Sequence, residues 1–257
     1  MMRGIWDRET VALLMLAAVF PLALTWLLSS GLEGLVRLGF TLVVAGAWHL
    51  IFMLARAQPP SFAGALCALA IAVLAPLELG PIPFALGISF GVVMGELAFG
   101  GWGRNIVNPA TITIAFLGFG FASAPWPQLP VQLGWSVLPA ILIGTLFGVM
   151  PWRVVAGTVI ALAAGSMLAP LPQQQLIAAG VVLVLLVCDP VTAAATPLGR
   201  LAHGALYGGL VVIFALNWSA GQPVQIAISA ALLAALSAPL LDDIALRIWQ
   251  ARRPRLG

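Results

Sequence analysis

The sequence predicts an all-α, polytopic membrane protein of about ten spanning helices. Three observations lead there. Of 257 residues, 62% are hydrophobic and only 7% charged, with a mean hydropathy of +1.10, too little polar surface to cover a water-soluble domain. The apolar residues fall into successive runs joined by short gaps, which leaves no room for a separate soluble domain. All 11 basic side chains are arginines, and nearly all sit in alternate gaps, the pattern of the positive-inside rule.

The runs span about residues 10–30, 36–55, 61–78, 82–99, 106–123, 136–150, 153–169, 175–188, 201–217 and 223–246. The first follows Arg3 and Arg8 with no small-residue cleavage site, and reads as a retained helix rather than a secretory leader. The runs at 136–150 and 175–188 are short for a span and are expected to be broken or re-entrant helices, tolerated at membrane depth only when buried in protein or lining a cavity. With the N-terminus cytoplasmic, Arg56, Arg104, Arg153, Arg200 and the tail residues Arg247, Arg252, Arg253 and Arg255 all fall inside, so both termini are expected there. Arg37 alone breaks the rule, with Glu33 one turn away to offset it. Trp126, Trp135 and Trp218 are expected in an interfacial aromatic belt. The whole chain, 1–257, reads as one transmembrane domain with halves of about 1–130 and 131–257, and five runs per half suggest an inverted repeat. Asn108-Pro109-Ala110-Thr111 and Asp189-Pro190-Val191-Thr192 form a weak echo between those halves.

The net charge of +3 and a pI near 9.7 come from single arginines between apolar runs, not from a basic stripe with interleaved aromatics, so nucleic acid is excluded as a partner. Membrane lipid is the expected surroundings. Cys67 and Cys188 both lie in apolar stretches without metal-ligand spacing and read as packing residues, and no metal site is expected. Nucleotide-binding, hydrolase and zinc signatures are absent, and no catalytic residue is assigned.

Two polar interruptions carry the candidate chemistry. In Phe99 to Pro109, Gly100, Gly101 and Gly103 permit positive φ, Arg104 offers a planar donor fork, and Asn108 before a proline reads as a helix N-cap. Together these suit a phosphate, or else form a plain cytoplasmic turn. Asp189 closes an unbroken apolar run and needs a partner there, for which Arg200, His203, Thr192 and Thr196 are candidates. Glu96 is the other acid in apolar surroundings, with Arg104 as the expected counterion. Glu96, Asp189 and His203 are therefore candidates for an ion path. His49 reads as a packing residue, and Asp242 and Asp243 as a helix end paired with Arg247.

At these residues the chain resembles the membrane subunit shared by the bacterial RNF electron-transport complex (its D subunit) and the sodium-pumping NADH:quinone reductase (its B subunit). The resemblance rests on Leu97 to Ala110, similar to that family's Phe-Gly-Gly-x-Gly-x-Asn-x-x-Asn-Pro-Ala. It also rests on Cys188 to Thr192 with Thr196 to Gly199 and Tyr207-Gly208, on Ser61 to Pro76, and on Ala238 to Asp242. It implies a ten-helix, urea-transporter-like fold in the bacterial inner membrane. The implied role is a non-autonomous subunit of an ion-translocating oxidoreductase, coupling flavin-mediated electron transfer to sodium or proton movement alongside other redox subunits. Family members carry FMN on a threonine through a phosphoester. Here Gly134-Trp135-Ser136-Val137 replaces the family's Gly-Glu-Thr-Ser, so Ser136 is the only hydroxyl at that place. The resemblance then implies either FMN or riboflavin held noncovalently by Arg104, Asn105, Asn108, Thr111, Asp189 and Thr192, or no flavin and a scaffold or ion-path role. A stand-alone channel or transporter for a small solute is the alternative from another class.

Overall fold

A computed structural model describes residues 7–56 and 61–252, and every regular element among them is helical. The elements are α1 (Arg8–Arg56), α2 (Ala63–Leu74), α3 (Pro81–Gly95), a 3₁₀ turn (Leu97–Phe99), α4 (Pro109–Gly120), α5 (Val131–Leu146), α6 (Trp152–Leu168), α7 (Gln173–Val182) running into a π segment (Leu183–Val187), α8 (Pro197–Asn217) and α9 (Pro223–Arg252). Helix α1 is interrupted at Gly31, whose φ of 59° and ψ of −138° lie outside helical space in a region that glycine alone enters freely. With that break the described residues form ten rods matching the ten apolar runs. Among the described residues four helices, with α1 taken whole across its Gly31 break, are long and apolar enough to cross a membrane: Arg8–Ala55, Pro81–Phe99, Pro197–Asn217 and Pro223–Ala251.

The shortest rods are not those expected. Helices α2 and α4 have 12 residues each, about 18 Å of rise against a hydrocarbon core of about 30 Å. They survive at that length because protein surrounds them: α2 is buried along nearly its whole length. The run at 136–150 is instead a 16-residue helix beginning earlier, at Val131, and that at 175–188 is continuous but changes from α to π pitch.

Hydrogen bonds between gaps sort the loops into two ends. At one end the Arg8 guanidinium reaches the Trp102 carbonyl (3.5 Å) and the Phe62 N–H donates to Glu9 (3.0 Å). At that same end Asn108 donates to Asp189 (3.0 Å) and the Ala195 N–H to Asp242 (2.7 Å). At the other end Leu77 N–H donates to the Pro125 carbonyl (2.7 Å) and the Gln175 amide to that of Pro223 (3.3 Å). The arginine-bearing gaps thus gather on one end, as the charge pattern predicts; Arg3, Arg253, Arg255 and the side chains of Arg56 and Arg252 lie outside the described residues.

Arg37, the exception, belongs to the opposite end and has a different task. Its guanidinium donates to the carbonyls of Ala72 (2.9 Å), Ala75 (2.6 Å) and Pro76 (2.9 Å) and lies over the Phe84 ring. These include carbonyls that the end of α2 leaves without helical partners, so the charge acts as a C-cap on a short buried helix. Trp126 also departs from expectation. It is buried against Gly118, whereas Trp135, 68% exposed, suits an interfacial position.

Close helix seams are built on small residues. Gly87, Gly91 and Gly95 let α3 lie on Leu117, Thr113 and Pro109 of α4, and Gly157, Gly204 and Gly208 bring α6 and α8 to backbone contact. Thr158 Oγ1 donates across that second seam to the Gly204 carbonyl (3.1 Å). A methyl at Gly204 collides with the Val154 backbone, whereas one at Gly209 of the same helix meets nothing within 4 Å. Gly204→Ala is therefore expected to cost about 1–3 kcal/mol and Gly209→Ala to be near neutral, read as thermal unfolding in detergent. Outside the membrane-spanning part, Asp7 caps α1 by accepting from the Thr10 N–H (2.9 Å), and hydrogen bonding to Thr10 holds its carboxyl below the ordinary value. A carboxyl depressed on folding stabilises above its unfolded-state pKa and loses that contribution as pH falls through the folded one. Amide protection of Thr10, corrected for intrinsic exchange, should fall over that acidic range.

Candidate functional site

The two proline-broken motifs meet. The Asn108 side chain has two duties: its Oδ1 accepts from the Ala110 N–H (2.9 Å), capping α4 behind Pro109 at the first helical position, and its Nδ2 donates to Asp189 Oδ2 (3.0 Å). Asp189 Oδ1 accepts from the Val191 N–H (3.0 Å), and Oδ2 also accepts from Thr192 Oγ1 (3.2 Å). Four rods lie between the motifs, an even number, so the chain returns to the same face for this contact. The echo between them is not a repeat equivalence, since Asn108 opens the fifth rod and Asp189 follows the eighth. They are partners rather than copies.

Asp189 follows the π segment, where the Cys188 N–H reaches back to the Leu183 carbonyl (2.8 Å). The wider turn ends the helix with the carboxylate aimed inward, a use for which single π turns recur at functional sites. A small cavity of about 20 Å³ lies beside it, lined by Met15, Cys67, Glu96, Asn108, Val184 and Asp189, among others. That volume admits one water-sized species, and polar partners are present to hold it.

Glu96 is 1% exposed. Its Oε1 lies 3.2 Å from His49 Nε2, while Oε2 has no hydrogen-bond partner among the described residues. The expected counterion, Arg104, is exposed and stacks over Gly100 instead. His49 was missed because α1 brings it to Glu96 over 47 residues of separation, with no local pattern to announce the pair. The suggested partners of Asp189 are also engaged elsewhere. Arg200 Nε donates to the Ala194 carbonyl (3.0 Å), and His203 Nδ1 accepts from the Ala194 N–H (3.2 Å), leaving its Nε2 buried without a partner among the described residues. Asp242 is a second residue that sequence reasoning missed: it accepts from the N–H groups of Ala195 (2.7 Å) and Thr196 (2.8 Å) and from Thr196 Oγ1 (2.6 Å). Only Asp243 pairs with Arg247 (2.9 Å). The acid closing the Ala238 to Asp242 segment was the available signal.

The flavin-binding set does not assemble as one. Gly100, Gly101 and Gly103 take positive φ as expected, but Asn105 folds this loop upon itself, accepting from the Gly103 N–H (3.2 Å) and donating to the Val107 carbonyl (3.4 Å). Asn108 has its own helix cap and Asp189 to satisfy, Thr192 is committed to Asp189, and Thr111 is buried in the first turn of α4. A phosphate here would face a carboxylate. Ser136 is buried within α5, its hydroxyl donating to the Leu133 carbonyl (2.7 Å). In this arrangement those side chains are engaged with one another and with backbone groups.

A helical membrane fold closed around two broken segments, with buried acids at a one-molecule cavity, defines the class: a polytopic membrane protein with an internal polar site. Comparison supplies the family. The family model described as "NQR2, RnfD, RnfE family" matches residues 3–132, just over half of the chain, and the chain belongs to that family. It is 28% identical to the B subunit of the Na(+)-translocating NADH-quinone reductase of Pseudomonas paraeruginosa, covering 83% of this chain and 67% of that protein. It is 29% identical to the protein of the same name from Klebsiella pneumoniae, over 84% and 67% respectively, and 28% identical to that of Yersinia pestis, over the same shares.

If Asn108 and Asp189 are the partners described, Asn108→Asp sets two carboxylates against each other and should lower unfolding stability by about 2 kcal/mol or more. Adding Asp189→Asn reverses donor and acceptor, and most of the loss should return in the double variant. A double variant no more stable than Asn108→Asp would remove the contact.

Proposed function

We propose that this chain works as the integral membrane subunit of an ion-translocating electron-transport complex of the RNF or NADH-quinone reductase kind. Within it, the cavity bordered by Glu96, Asn108 and Asp189 is a step of the ion path. The observation that carries this reading is the cavity itself: buried acid groups around room for one small species, where broken chain segments meet at the arginine-bearing end of the helices. The relatives' names state sodium translocation and NADH-quinone reduction. Carried over, they make sodium the first candidate ion and other redox subunits the partners. His203, a buried ring held through the Ala194 backbone, is a further candidate group for that path. Flavin, where the assembly carries it, is bound away from this cavity.

The packing supports halves of five rods. Helices α2 and α3 lie on α4 in the first half as α7 and α8 lie on α9 in the second, and α1 with α5 and α4 with α9 join the halves. An even number of rods brings both ends to the arginine-bearing face, which the positive-inside rule assigns to the cytoplasm of a bacterial inner membrane.

In vesicles holding the assembled complex, Asp189→Asn should leave the protein inserted and its partners co-purifying while most ion translocation driven by electron transfer is lost. Unchanged translocation would take Asp189 out of the path. Small-solute flux through the chain alone, with no redox partner recovered in a gentle detergent pull-down, would replace this reading with a channel.

A further inference from the structure

We propose that His49 and Glu96 together hold one exchangeable proton at the edge of the cavity, so that a protonation belongs to the ion step of this protein. The argument starts at the far side of the imidazole. His49 Nδ1 lies 2.9 Å from the Ala45 carbonyl, which only accepts, so Nδ1 carries a hydrogen. Neutral His49 then presents a lone pair at Nε2, and Glu96 Oε1 stands 3.2 Å from it. Two lone pairs do not make that contact. A proton lies between them, either on Nε2, giving imidazolium and carboxylate, or on Oε1, giving imidazole and carboxylic acid. Passage between the two breaks one N–H bond as one O–H bond forms, and consumes nothing else.

The surroundings define what the pair can do. Among the described residues Glu96 Oε2 has no partner, in a residue 1% exposed and lining the cavity. Rotation of the carboxyl therefore offers the same proton to the cavity. The His49 side chain is 18% exposed against 1% for Glu96, so the pair runs from the helix surface to the interior. Cys67 on α2 and Asp189 beyond the π segment are the other titratable groups at the cavity; from α4 its cap Asn108 and Pro109 face it, and α1 adds Met15 and Val19. Among the described residues His49 is thus the one basic group in contact with Glu96. The ring is seated by shape as well: a Cβ on Gly64 would stand 3.1–3.2 Å from it. The neighbouring Trp48 ties α1 to α3 through Ser89 Oγ (2.8 Å).

The proton site stands on this geometry; its place in an ion step rests on the function proposed above. The test uses the purified full chain in lipid nanodiscs, ¹⁵N-labelled at its 2 histidines, with His203→Gln to assign the signals. His49 should keep Nδ1 protonated throughout a pH titration while Nε2 changes state in one step. Infrared difference spectra across that step should contain a carboxyl C=O band that Glu96→Gln removes. The same variant should displace the histidine midpoint by about one pH unit or more, and His49→Gln, whose amide keeps a donor without a transferable proton, should leave the carboxyl band fixed with pH. A neutral ring protonated at Nε2 alone, or a midpoint that Glu96→Gln does not move, overturns the proposal. No redox partner takes part, so failure here leaves the reading as a member of a redox complex standing, and failure of Asp189→Asn to affect translocation leaves the proton site standing.

Discussion

The contact between Asn108 and Asp189 is the constraint on which the site depends. A carboxylate taken from water into a membrane protein is costly unless its lone pairs are filled. Asp189 meets that cost with three donors: its own following backbone, its own Thr192, and an amide from a distant helix cap. The first two are local and come with the turn that Pro190 enforces. Only the third binds the fifth rod to the eighth, and it exists because Pro109 leaves Asn108 outside the helix, free to cap α4 with one side-chain atom and bridge with the other.

Charge inside this fold is used in two ways, and the difference lies in how completely each group is satisfied. Arg37 makes three hydrogen bonds to the carbonyls around the end of α2. It compensates a short helix whose end lies within protein, where water cannot do so. Asp189 is similarly filled. Glu96 is not: it has one contact through a histidine and one bare oxygen toward a cavity. An arrangement with every lone pair filled is rigid, while one with an open lone pair and a shared proton has two states of similar shape.

Much of the architecture was legible because lipid imposes a simple demand. Apolar runs and arginine-bearing gaps must alternate, and the ten runs and the gathering of those gaps on one end follow from that. Arg37 escaped this logic because capping is a tertiary role; nothing in the residues around it names Ala72, Ala75 or Pro76 as partners. Rod lengths were misjudged for a related reason. Apolar residues continue past the end of α2 through Ala75 and Leu77, so hydropathy cannot mark where the helix stops. At the site, the polar interruptions at 100–109 and 189–196 were visible, and so was the anomaly of an acid at 96. Their partners were not, because Arg104 is near Glu96 in sequence and His49 is near it in space. Proximity along the chain favoured the wrong cation.

Asp242 adds the last element. By taking two backbone N–H groups and a hydroxyl from Ala195 and Thr196, it pins the start of α8 to α9, and Arg200 and His203 clamp Ala194 from either side of its peptide. The stretch from Asp189 to Gly199 is thus anchored at its beginning by Asn108 and at its end by Asp242. Such a segment is a fixed wall. Across the cavity, Glu96 hangs from a 3₁₀ turn after α3 and leans on a partly exposed ring of another helix. An ion site needs both properties, a wall that holds geometry and a group that changes state without moving the wall. In this fold they are assigned to different acids on different chain segments.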